Sequence, residues 1–144
     1  MAADSFRAGV HIDAAPERVY EYFTRAEAMV RWMGDYALLD ARVGGEFTVD
    51  IRGVPVRGRY LELDPPHGLL ISWGHAGSDV LPPGASTVEV RLVAAGSGTD
   101  VELVHRGLPE PHAAGHARGW PVFLARLADV SARPPRSTAA ADRG

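Results

Sequence analysis

Apolar and polar positions along this chain alternate with a period of two in some stretches and a helical period in others. In residues 6–13, FRAGVHID, Ala8, Val10 and Ile12 fall on one side, which predicts a strand with those residues inward. AAPERVYEYFT follows. Pro16 suits the first turn of a helix, where its missing N–H costs nothing, and Val19 and Phe23 stand four apart as an apolar stripe. Thr24 with Glu27 makes T-x-x-E, a capping-box pattern, so a second short helix is expected from near Arg25. Met29, Trp32 and Met33 would form its buried side, and Gly34 would end it.

From Tyr36 to about Arg106 the pattern is that of strands. YALLDARV runs into the turn Gly44-Gly45, and EFTVDIR alternates with Phe47, Val49 and Ile51 on one face. Gly53 opens a turn into VPVRGRYLELD. There the apolar frame shifts from Val56, Gly58 and Tyr60 to Leu61 and Leu63, which predicts a β-bulge near Tyr60. PPHG turns the chain into LLISWGH, with Leu69, Ile71 and Trp73 together. The Pro/Gly-rich AGSDVLPPGA leads to STVEVRLVAA, with Val88, Val90 and Leu92 inward. GSGTD then turns it into VELVHRG, where Val101, Leu103 and His105 share a face.

The last element is a helix from near Pro111 or His112, with Trp120, Phe123, Leu124, Leu127 and Val130 at helical spacing. Gly115, Gly119 and Pro121 weaken its first half, and Pro121 is expected to kink it. The tail SARPPRSTAAADRG has no apolar periodicity. One domain is therefore expected over residues 1–132, with residues 133–144 disordered.

Short turns between strands require antiparallel pairing. Each strand has one apolar face, and only the last helix is long enough to cover the sheet. The fold class is α+β: a curved antiparallel sheet of about seven strands wrapped around a long C-terminal helix, with two short helices after the first strand. A gap between sheet and helix would be a natural ligand cavity.

Composition narrows the chemistry. Apolar residues make up 46% of the 144, enough for a core. Cysteine is absent, which removes disulfides, thiolate catalysis and Cys-type zinc sites. All 15 basic residues are arginine, and the net charge is −3. No basic stripe is visible, so no nucleic-acid partner is expected. Without lysine there is no Schiff-base chemistry and no P-loop lysine. A lysine-free chain rich in Ala, Arg, Gly and Pro suggests a GC-rich bacterial genome. No apolar run approaches the ~18 residues of a membrane span, and the start lacks a signal-like pattern, so a cytoplasmic protein with no membrane partner is expected.

Several motifs, in order and spacing, resemble one family. APERVYEYFT, EAMVRWMG, RVGGEF, GRYLELDPPHGLLISW, TVEVRLVAAGSGTDVELVHRGLP and GHARGW leading into FLARLADV are similar to the SRPBCC (START-like, helix-grip) superfamily. The nearest branch is the one named after the activator of a heat-shock protein's ATPase. The resemblance covers residues 6 to about 130. It implies the helix-grip fold and an internal cavity. It does not fix function, because the superfamily includes lipid carriers, polyketide cyclases and hormone receptors.

Three chemistries compete for the histidines and aromatics of HRGLPEPHAAGHARGW. His112 and His116 stand four apart, but the motif lacks the glutamate of a zincin, and a third ligand would have to be His105 or Glu110; no metal and no cofactor are expected. His105 closes a strand on the apolar face and His116 lies one turn before Trp120, so either is a candidate proton carrier in a cyclase-like reaction. The alternative for His105 is a satisfied core histidine. Finally, Trp32, Tyr60, Trp73, His105, His116, Trp120 and Phe123 are expected to face inward and to line a site for a small, mostly apolar molecule. A homodimer is compatible with the sequence. The branch name also suggests a module that stimulates a chaperone ATPase, although the chain lacks an obvious exposed apolar patch or charged docking run. Arg57 and Arg59 are expected to face solvent.

Overall fold

The computed structural model describes residues 5–132, apart from the side chains of residues 110–112 and 114; the tail expected to be disordered lies outside them. The elements follow the predicted order: β1 (Phe6–Ile12), α1 (Pro16–Glu21), α2 (Ala26–Met29), β2 (Tyr36–Leu39), β3 (Glu46–Ile51), β4 (Val54–Asp64), β5 (Gly68–His75), β6 (Ser86–Ala95), β7 (Gly98–Arg106) and α3 (Glu110–Ala132). All neighbours in the 7-stranded sheet pair antiparallel, in the order β1-β7-β6-β5-β4-β3-β2. Five of these pairings are hairpins between consecutive strands, as short turns require. The sixth brings β1 across to β7, Phe6 opposite His105.

Each strand buries the alternate positions its sequence marks. Phe47, Val49, Val56, Leu69, Ile71, Val88, Val90, Val101 and Leu103 join one core with Val19, Met29 and Trp32 of the α1–α2 region and Trp120, Leu124 and Leu127 of α3. The sheet curves around α3 in the helix-grip manner, and the core lies between them. α3 runs unbroken through Pro121, so the proline removes one backbone bond without ending the helix. Its C-terminal end is tied to α1. The Arg18 guanidinium donates to the Ser131 carbonyl at 2.6 Å and the Tyr22 hydroxyl to that of Val130 at 3.4 Å. These two donors satisfy carbonyls that a helix end leaves open.

Four local expectations are corrected. Thr24 and Glu27 form no capping box: Thr24 donates back to the Tyr20 carbonyl, Glu27 pairs with Arg25, and α2 has no side-chain cap. β2 stops at Leu39, because Asp40 to Gly45 folds into a turn with Arg42 bonded to Asp40. The bulge is present between Tyr60 and Glu62, but Leu61 is its extra residue and points out at 40% exposure, while Leu63 resumes the inward frame. Arg57, expected in solvent, is half-buried and pairs with Asp50 at 2.8 Å, whereas Arg59 is exposed as expected and donates to the Gly44 carbonyl at 2.9 Å.

Candidate functional site

β3, β4 and β5 meet α3 at the end of the sheet that carries the β3–β4 turn. In the register, Ile51 lies opposite Val54 and Val56 opposite His75, which sets three apolar side chains and one imidazole at this end. Trp73 precedes His75 by two residues and so shares its face. α3 presents Gly115, His116, Gly119, Trp120 and Phe123, a single helix face. Between these walls, with Met33 beside them, is a cavity of about 270 Å³. Its mouth lies where Gly115 and Val54 are exposed.

Behind the wall is a polar chain with a defined direction. The Trp120 indole N–H donates to His105 Nδ1 at 3.0 Å, and His105 Nε2 meets Ser86 Oγ at 2.9 Å. Ser86 Oγ in turn donates to the Trp73 carbonyl at 2.8 Å. An indole N–H can only donate, so Nδ1 must be the acceptor and Nε2 carries the hydrogen. Ser86 then accepts from Nε2 and passes its own hydrogen to Trp73. Every member is satisfied, as buried polar groups in a core need to be. Burial, and then the neighbouring His116 and His75, push the His105 imidazole down to about 3. It is neutral near pH 7, in the tautomer that the chain of bonds requires.

Rings pack around this chain. Trp73 stands 5.3 Å from Trp120 and 5.4 Å edge-to-face from His105. His116 meets the His105 ring at 5.1 Å and stacks on His75 at 5.8 Å with an 18° interplanar angle. The Trp73 indole nitrogen is the one buried side-chain polar atom without a hydrogen-bond partner among the described residues.

Of the residues singled out from sequence, Trp73, His116, Trp120 and Phe123 converge on the cavity. His105 is fully buried one layer behind it, with both nitrogens engaged, so it has no free lone pair to offer a substrate. Trp32 and Tyr60 are elsewhere. Trp32 donates to the Tyr22 carbonyl at 2.9 Å and packs edge-on to Phe23. The Tyr60 hydroxyl donates to the Phe23 carbonyl at 2.8 Å, and burial, with Tyr20 and Asp40 adding to it, raises its pKa. Both are core. Tyr60→Phe is therefore expected to cost about 1–2 kcal/mol in urea unfolding, by orphaning a buried carbonyl, and to leave apolar-probe affinity unchanged.

Sequence reading missed Ser86, His75 and the cavity role of the two helix glycines. His75 was findable, since it alternates onto the Trp73 face. Ser86 pairs with Trp73 across β5–β6, a register visible only in the folded sheet. Among the described residues no three His, Asp or Glu converge to hold a metal ion. The side chains of Glu110 and His112, part of that reading, lie outside those described. No helix among the described residues is long and apolar enough to cross a membrane.

Comparison with known proteins agrees with this architecture. Residues 13–132 match the family model described as activator of Hsp90 ATPase homolog 1-like protein. A solved AHSA1-like protein from Rhizobium etli is 40% identical, with a TM-score of 0.72 over 89% of this chain and 81% of that one. A protein from Chromobacterium violaceum is 28% identical, with a TM-score of 0.79 over 92% and 99% of the two chains. An Hsp90 activator from Plasmodium falciparum is 25% identical, with a TM-score of 0.74 over 90% and 97%. No curated protein matches the chain.

Proposed function

The chain belongs to the activator of Hsp90 ATPase homolog 1-like family, within the SRPBCC superfamily, and from that premise we propose that it binds a small, mostly apolar molecule between the sheet and α3. The observation that carries the reading is the cavity of about 270 Å³, walled by Trp73, Trp120 and Phe123 beside the buried core. An unfilled apolar space of this size forfeits dispersion contacts on every wall, so a ligand that restores them gains that energy. His75 and His116 supply the polar groups of the lining, which suits an apolar body with one polar end.

Titration with phenylnaphthylamine, an uncharged dye that brightens in apolar surroundings, tests the reading. Saturable binding at one site per chain is expected, together with a retained small molecule in native mass spectra of protein from its own host. A linear, unsaturable response with no retained mass would refute it.

A second reading is favoured by the family and by the likeness to an Hsp90 activator: stimulation of a chaperone ATPase. It predicts a faster ATPase rate when this chain is added to its host's chaperone. Binding and stimulation are separable, since a cavity-filling substitution should abolish only the first.

A further inference from the structure

We propose that the cavity selects a flat, uncharged molecule of one or two fused rings, seated against bare helix backbone at Gly115 and Gly119. This rests on the ligand-binding reading above and narrows it.

The glycines are the first ground. A glycine inside a helix is about 1 kcal/mol less favourable than alanine, so two of them one turn apart need a reason. Backbone conformation is not the reason, because neither is among the glycines with positive φ. Packing is not the reason either: a Cβ at either position would meet nothing within 4 Å among the described residues. Other glycines here do answer to packing, such as Gly58 against the Ser72 carbonyl and Gly74 against that of Pro82. Gly115 and Gly119 stand four apart on one helix face, and both line the cavity. The use that remains is close approach of a ligand to the backbone.

Size and charge fix the rest. A dry cavity of ~150 Å³ accepts benzene, and pockets for drug-sized ligands begin near ~300 Å³. At about 270 Å³ this one fits one or two rings. Among the described residues the lining contains no Asp, Glu or Arg, so a charged ligand would give up hydration with no permanent opposite charge to meet it. Ring faces and edges of Trp73, Trp120 and Phe123 suit a planar partner.

Calorimetric titration of the whole chain with naphthol, naphthoate and dodecanol tests this, alongside Gly119→Leu. Naphthol should bind saturably, with naphthoate and dodecanol weaker by about tenfold or more. Gly119→Leu, which improves helix propensity and fills the space, should keep or raise the thermal midpoint and weaken naphthol by about tenfold or more. Gly115→Leu repeats the test should the first variant fail to fold. Tighter binding of dodecanol or naphthoate would overturn the ring inference and leave the cavity reading standing. Unchanged naphthol affinity in a folded glycine variant would remove the seat on α3. If no probe binds, the ligand reading falls and takes this one with it.

Discussion

Replacing His105 by leucine is expected to lower stability near pH 7 by about 2–4 kcal/mol and to flatten its decline in acid. The loss at neutral pH comes from the Trp120 N–H, which loses its acceptor, and from Ser86, which loses a donor while keeping the Trp73 carbonyl. The acid effect follows from linkage. The folded imidazole stays neutral down to about 3, whereas in the unfolded chain it takes up a proton near its ordinary value of 6.5. Between those values the unfolded state binds one more proton, so the stabilisation is complete above about 6.5 and declines by up to about 1.4 kcal/mol per pH unit as pH falls toward about 3. His11 has the opposite sign. Its bond to Asp100 raises its pKa, so its contribution is complete below 6.5 and is lost as pH rises through the raised value. The two windows lie on either side of 6.5 and do not overlap. Urea unfolding at about pH 5, 6 and 7, above most carboxylate titration, should show a slope in the parent that shrinks by about one proton in His105→Leu. An equal slope in both proteins would mean that His105 takes up its proton in the folded state and that the braced neutral tautomer is wrong.

Trp32→Ala should be costlier still, by about 3–5 kcal/mol, and yet leave the cavity's affinity for an apolar dye where it was. The indole is 1% exposed, sits 5.1 Å from the Phe23 ring and gives its N–H to the Tyr22 carbonyl, so truncation leaves both a void and an orphaned acceptor. Because that cost is a large share of the ~5–15 kcal/mol that holds a domain together, Trp32→Phe is the companion variant for binding measurements. Circular dichroism melts and dye titration together decide the outcome. A folded Trp32→Phe protein with weakened dye binding would return Trp32 to the ligand site.

That Trp32 and Tyr60 are core, while Trp73 and Trp120 are at the cavity, shows where sequence reading loses purchase. Alternation tells which face a side chain takes, and it placed Val49, Ile71, Val88 and Leu103 correctly. It does not tell how far along the curved sheet that side chain sits. Tyr60 pairs with Ile71 mid-sheet, whereas Val56 pairs with His75 at the end where the cavity opens. The bulge near Tyr60 was readable from the broken period, but which residue it expels was not, because Leu61 and Leu63 are both apolar. Histidine chemistry was likewise ambiguous. His105 on an apolar face is more often a satisfied core group than a proton carrier, and Ser86 and Trp120 at hydrogen-bond distance show it held as a core group. The glycines of α3 read as flaws in a helix until the open space beside them was located.

The place of β1 in the sheet bears on how the molecule reaches this state. Every other strand pairing joins sequence neighbours, but β1 must hold its place until β7 exists, with Phe6 finally opposite His105. Bringing together ends so distant along the chain carries the loop-closure entropy that slows topologies rich in non-local contacts. During synthesis the hairpins can zip as they emerge, while the first strand stays an unpaired edge until the seventh arrives. The ring cluster around His105 needs α3 in place on the sheet as well, because Trp120 and His116 belong to that helix.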